Sequence, residues 1–179
     1  MFKRLPLLAM IALALTCVGG AQLARAEGEE WVGKRAPDFS MTDVEGKPLK
    51  LAEFAGKKVV WLNFWGLRCG PCVRELPALQ KLYAEFQKKG LVIIGVNTDG
   101  VDGAFVKKQF AERADLKGAG VAFPLMPDAD FKVIDAYGLM GAPLNVMIDK
   151  KGIIRYRHEG YEDGDEVKYA KVLEKLIAE

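Results

Sequence analysis

The positions from Val59 to Phe64 are apolar except Asn63, and they are rich in β-branched and aromatic residues. A half-exposed strand would alternate, so such a run predicts a strand buried on both faces. Leu91 to Val96 repeats the pattern and predicts a second buried strand. Between them, Leu76, Leu79, Leu82, Tyr83 and Phe86 recur at helical spacing, and Gly90 ends a predicted helix that runs to about Lys89. Further on, the spacing predicts a helix over 102–116, with Phe105, Val106, Phe110 and Ala114 on one side. A short strand over 121–126 and a short helix over 130–137 follow. Leu144 to Ile148 predicts a strand, Asp149-Lys150-Lys151-Gly152 a tight turn, and Ile153 to Arg157 its antiparallel partner. The last helix is predicted from Asp163 to the end, carrying Val167, Tyr169, Ala170, Val172, Leu173 and Leu176. Upstream, the turn Asp43–Lys47 separates two short extended segments between Trp31 and Leu51, which predicts a hairpin. Strands alternating with helices and closing in a hairpin predict an α/β fold with a mixed central sheet.

The first residues follow a different pattern. Lys3 and Arg4 precede an apolar stretch from Leu7 to Val18, and Ala24-Arg25-Ala26 has the small-x-small form of a cleavage site. The apolar stretch falls short of the roughly 20 residues that span a bilayer as a helix. The expected organisation is therefore a secretory signal over 1–26 and one domain over 27–179, beginning with a loose terminus at Glu27–Glu30. An uncleaved anchor is the alternative. Lipidation at Cys17 would need a better lipobox than Ala14-Leu15-Thr16. Cleavage would place the mature protein in the periplasm or otherwise outside the cytoplasm.

Composition supports this division. Half of the 179 residues are hydrophobic and 28% are charged, which suits one compact core. The net charge of +2 is misleading, because the signal carries Lys3, Arg4 and Arg25 and leaves 23 basic against 24 acidic residues. That balance offers no basic surplus for nucleic acid. A monomer is expected. Cleavage would also reduce three cysteines to two.

Those two form Cys69-Gly70-Pro71-Cys72, between the first buried strand and the helix that follows it. A thiol at a helix N-terminus meets unpaired backbone N–H groups and the positive end of the dipole. Its pKa can fall from about 8.5 to roughly 3.5–7.5, which gives a thiolate at neutral pH. A second thiol one turn on can close a disulfide. An exported chain with a single vicinal pair has no disulfide framework, so the pair is expected to be redox-active.

The surroundings identify a branch. Asn63-Phe64-Trp65-Gly66-Leu67-Arg68-Cys69-Gly70-Pro71-Cys72-Val73-Arg74-Glu75-Leu76-Pro77 resembles the signature of the TlpA/ResA/CcmG-type thiol–disulfide oxidoreductases of the thioredoxin superfamily. Ala36-Pro37-Asp38-Phe39 with its hairpin, the segment between Asp99 and Gly138, Tyr137-Gly138 with Gly141-Ala142-Pro143, and Ile148–Gly152 resemble it too. The resemblance runs from Trp31 to the C-terminus. It implies a thioredoxin fold with an N-terminal β-hairpin and a central αβ insertion. It implies Cys69 as the exposed nucleophile, Cys72 as the buried resolving thiol and Glu75 as the group that moves the proton of Cys72. Thioredoxin carries a buried Asp on the preceding strand, at the position of Asn63. Pro77 matches a proline that kinks the helix. Pro143 matches a cis-proline opposite the dithiol, where the backbone of Ala142 could pair with an extended substrate. Trp65, Arg68, Gly70, Pro71, Ala142 and Pro143 form the implied substrate rim. Ala142, Leu144 and Arg68 depart from the family's usual residues. Arg68 either stabilises the Cys69 thiolate or is a solvated arm toward partners.

Competing readings fail on ligands. Zinc needs four and His158 is the sole histidine. Haem attachment needs a histidine where Val73 stands. Copper delivery of the related type uses a longer cysteine spacing, and a peroxiredoxin lacks the vicinal pair. No cofactor is expected. The resulting expectation is a protein-disulfide reductase acting on thiol- or disulfide-bearing proteins, apocytochromes c among them, and fed by a membrane electron donor. A disulfide oxidase or isomerase is the alternative within the class, and a non-enzymatic binding or copper-chaperone module the alternative outside it.

Overall fold

The computed structural model describes residues 30–179; the signal over 1–26 lies outside the described residues. A small antiparallel hairpin, β1 (Ser40–Thr42) and β2 (Pro48–Lys50), precedes the main sheet. That sheet comprises β3 (Val59–Trp65), β4 (Leu91–Asn97), β5 (Leu125–Pro127), β6 (Leu144–Ile148) and β7 (Ile154–Glu159), in the order β5-β4-β3-β6-β7. β4 lies parallel to β3 and β5 parallel to β4, whereas β6 and β7 run antiparallel. The sheet is therefore mixed, with a separate N-terminal hairpin, as the sequence pattern and the family resemblance both implied. The helices are α1 (Gly70–Phe86), α2 (Gly103–Glu112), α3 (Ala114–Gly118), α4 (Lys132–Ala136) and α5 (Asp165–Ala178).

Both faces of the sheet are covered, which is why β3 and β4 show no polar alternation. Val60, Leu62 and Phe64 pack with the hairpin's Leu49, with Val133 and with Tyr137. Val59, Trp61 and Trp65 face the other way, against Leu76, Leu79 and Phe86 of α1 and Tyr169, Leu173 and Leu176 of α5. Asn63 shares the parity of Trp61 and Trp65, so it points up between α1 and α5. It stands in direct cross-strand register with Asn145 of β6, which in turn opposes His158 of β7. Three polar side chains thus lie in a row across β3, β6 and β7.

Several element boundaries differ from the sequence pattern. The helix predicted over 102–116 is broken at Arg113, whose extended backbone separates α2 from α3. Its guanidinium leaves the helix surface to donate to the Leu67 carbonyl and to pair with Asp115. The strand predicted over 121–126 starts only at Leu125. The last helix begins at Asp165, because Gly164 turns at φ +104°, in the left-handed region.

Candidate active site

The site begins where β3 ends. The Leu67 N–H donates to Asp99 Oδ2 at 2.7 Å and the Leu67 carbonyl accepts from Arg113. These bonds fix the short turn that delivers Cys69 to the N-cap of α1. Pro71 occupies the first turn of that helix, where a missing N–H costs nothing. Cys69 and Cys72 are joined by a disulfide with Sγ atoms 2.01 Å apart. Cys69 is half-buried and Cys72 fully buried. The Cys72 N–H donates to Cys69 Sγ at 3.3 Å, and the same bond would favour a thiolate there after reduction.

Across from the disulfide runs the loop into β6. The Ala142–Pro143 peptide bond is cis, and the Ala142 carbonyl oxygen lies 3.5 Å from Cys69 Sγ. Ala142 is exposed and Pro143 buried. Beside them opens a cavity of about 410 Å³ lined by Pro71, Ala142, Pro143, His158, Tyr161 and Asp165. Gly70 and Pro71 are exposed next to the sulfurs. Arg68 is also exposed and makes no hydrogen bond or ion pair among the described residues. Trp65 is a correction to the expected substrate rim. It is fully buried, with its ring edge-on to Phe110 of α2 at 5.6 Å. The inserted helix covers it, so Trp65 lies beneath the site and not on its exposed rim.

Below the disulfide, Glu75 is wholly buried. It lies one turn after Cys72, and residues three apart on a helix are neighbours on one face. Its Oε2 accepts from Asn63 Nδ2 at 2.9 Å, and its Oε1 accepts from Asn145 Nδ2 at 2.7 Å and from the Tyr169 hydroxyl at 3.2 Å. Asn145 Oδ1 in turn accepts from Trp61 Nε1 at 2.8 Å and from Asn63 Nδ2 at 3.0 Å. Burial dominates and pushes the Glu75 carboxyl up to about 7; the three donors pull the other way, and Asp165 adds a smaller push upward. A carboxyl poised at neutral pH can exchange a proton with a neighbouring thiol in either direction.

The structure therefore brings Gly70, Pro71, Ala142 and Pro143 together around the Cys69–Cys72 disulfide, with Cys69 toward the surface, Cys72 and Pro143 buried, and Glu75 behind them. Sequence reasoning missed Asn145, Tyr169 and the polar end of Trp61. The signal for Asn145 was available: an amide inside an apolar strand, two residues after Pro143. Tyr169 gave none, since it falls on the apolar stripe of its helix. Among the described residues, no group of three or more His, Cys, Asp or Glu side chains converges as a metal site.

Comparison with known proteins agrees with this geometry. The AhpC/TSA family model matches residues 32–157. The thiol-disulfide oxidoreductase ResA of Bacillus thuringiensis subsp. konkukian is 38% identical over 136 residues, 76% of this chain and 74% of the relative. The ResA of Halalkalibacterium halodurans is 36% identical over 159 residues, 89% of this chain and 86% of the relative. Among solved structures, the thioredoxin domain of a thiol-disulfide oxidoreductase from Bacteroides vulgatus superposes with a TM-score of 0.65 at 27% identity. That match covers 82% of this chain and 97% of the other.

Proposed function

The chain belongs to the AhpC/TSA family and, within it, to the ResA-like thiol–disulfide oxidoreductases, and from that premise we propose that it is an exported reductase of protein disulfides. The observation that carries the exchange chemistry is the Cys69–Cys72 disulfide with the buried Glu75 carboxyl, pushed up to about 7, one turn from the buried Cys72; the reducing direction rests on the likeness to the ResA branch. In the reduced protein the Cys69 thiolate attacks a substrate disulfide; one S–S bond breaks, a mixed disulfide forms, and the released substrate thiolate takes a proton from solvent. Cys72 then gives its proton to the Glu75 carboxylate and attacks Cys69 Sγ, expelling the second substrate thiolate. Two electrons have passed to the substrate, and the protein is left as the Cys69–Cys72 disulfide. A membrane electron donor restores the dithiol.

The exposed backbone of Ala142, with Gly70 and Pro71 opposite, gives an extended substrate segment an edge to pair with beside Cys69. The substrates are proteins bearing thiols or disulfides, apocytochromes c among them. The signal pattern over 1–26 supports export, the periplasm being the compartment it suits. Arg68, exposed and next to Cys69, favours a second reading, because a cation there stabilises the thiolate and makes the disulfide more oxidising. The reduction potential separates the two. A value below about −250 mV is expected for a reductase, and one near about −120 mV would instead establish an oxidase. Trapping with C72S in cells, followed by identification of the mixed-disulfide partners, names the substrates; recovery of no thiol-bearing protein would overturn the proposal.

A further inference from the structure

The hydrogen bonds around Glu75 have a direction, and it is imposed from a residue whose own hydrogen bond goes to Asn145 and not to Glu75. An indole N–H can only donate. Trp61 Nε1 donates to Asn145 Oδ1 at 2.8 Å, so the carbonyl of that amide is held toward Trp61 and its Nδ2 toward Glu75 Oε1. Asn145 Oδ1 also accepts from Asn63 Nδ2, which turns the second amide the same way, with its nitrogen toward Glu75 Oε2. Reversing Asn63 would bring its own carbonyl oxygen against that of Asn145. Its Oδ1 is left buried without a hydrogen-bond partner among the described residues, so Asn63 adopts this orientation for what its nitrogen binds. Every amide facing the carboxyl thus presents a donor. The Tyr169 hydroxyl, which donates to Oε1 and accepts from Asn145 Nδ2 at 3.3 Å, can reverse by rotating its hydrogen alone.

We propose that Trp61, acting through Asn145 and Asn63, is a positioning residue that fixes an all-donor amide pocket around Glu75 and so holds its proton affinity low enough to exchange with Cys72 at neutral pH. Without the indole N–H, Asn145 is free to turn its carbonyl toward Glu75, and an acceptor facing a carboxyl favours the protonated form. The other groups facing this pocket are Cys72 on α1, Tyr156 and His158 on β7, Tyr161 beyond it, and Asp165 with Tyr169 on α5. Tyr156 and His158 pack on the Tyr169 ring at centroid distances of 6.0 and 6.4 Å, Tyr169 packs edge-on to the Trp61 ring at 5.0 Å, and the hydrogen bond of Trp61 Nε1 goes to Asn145.

The test is an NMR titration of the Glu75 side-chain carboxyl carbon in the oxidised full chain. W61F keeps an aromatic ring and deletes the N–H; W65F makes the same deletion four residues along the same strand, at an indole N–H that has no hydrogen-bond partner among the described residues. W61F is expected to raise the midpoint by about one pH unit, the size of a lost hydrogen bond to a charged acceptor, and W65F to leave it in place. A rise of less than about 0.3 unit in W61F, or an equal rise in W65F, overturns the assignment, the latter because the shift would then reflect packing and not polarity. Should W61F fail to fold, the unaltered chain decides: the Asn145 and Asn63 side-chain amide protons and the Trp61 indole proton are expected to shift with the Glu75 midpoint, and their indifference to it overturns the assignment. The role in exchange rests on the reductase reading above, whereas the titration uses no substrate. A shifted midpoint with an unshifted pH profile of disulfide reduction would uphold the polarity and remove Glu75 as the proton carrier.

Discussion

At the scale of single residues, the two cysteines differ because of position, not chemistry. Cys69 caps α1 and is half-buried beside an exposed loop; Cys72 has no solvent and depends on a partner for its proton. Cys69→Ser is expected to abolish reduction of insulin disulfides, read as turbidity with dithiothreitol as electron source; wild-type turnover would show that Cys72 is the attacking thiol. Glu75→Gln keeps the size of the side chain but cannot take a proton. Exchange is expected to slow by about tenfold or more near pH 7, and the inflection near that pH to vanish from the rate profile, given the 10²–10⁴ range of proton-transfer contributions. An unaltered profile would reduce Glu75 to a packing residue. Arg68 is the residue whose number predicts least: its side chain is exposed and unpaired among the described residues, so the reduction potential of Arg68→Ala is its measure.

At the scale of elements, the site depends on how the inserted segment α2, α3 and β5 closes over β4. Gly95 of β4 is where it closes most tightly. A Cβ there would stand 2.9 Å from Leu125 Cδ2, 3.2 Å from the Phe123 ring and 3.2 Å from the Trp65 indole. Leu125 has some freedom, but the two rings are held in the core. Gly95→Ala is therefore expected to cost about 1–3 kcal/mol through overpacking, read as a lower denaturant midpoint at unchanged slope. An unchanged midpoint would mean that the insertion yields without loss. The same segment explains the broken helix. Arg113 could have continued the apolar-polar spacing of 102–116, yet its guanidinium holds the Leu67 carbonyl of the active-site turn. A side-chain bond across 46 residues has no trace in local periodicity.

At the scale of the molecule, pH couples the site to the stability of the whole fold. Glu75 has a raised pKa in the folded state, about 7 against an ordinary value of 4.5, so between those values the native chain holds a proton that the unfolded chain has lost. Stability then falls as pH rises through that window, by roughly 3 kcal/mol in total, and is level above it. Asp149 and Asp165 act in the opposite sense: burial pushes each carboxyl up, but hydrogen bonds and neighbouring cations together outweigh it and hold both below the usual carboxylate range, so their contribution is present above about pH 4 and lost in acid. Denaturant unfolding of the oxidised chain is expected to show the decline from pH 4.5 to 7, and Glu75→Gln to flatten it; persistence of the slope in that variant would place its source elsewhere. The layered fold, the hairpin and the dithiol are legible along the chain, because burial on two faces writes continuous apolar runs and a helix start writes its own cap. Glu75 is legible too, by its place in a motif. What surrounds that carboxyl is set by the folded assembly. Trp61, Asn63, Asn145 and Tyr169 come from two strands and a helix up to 108 positions apart in the chain. Each looks like core from its neighbours in sequence, and hydrogen-bond direction is a property of the assembled pocket alone.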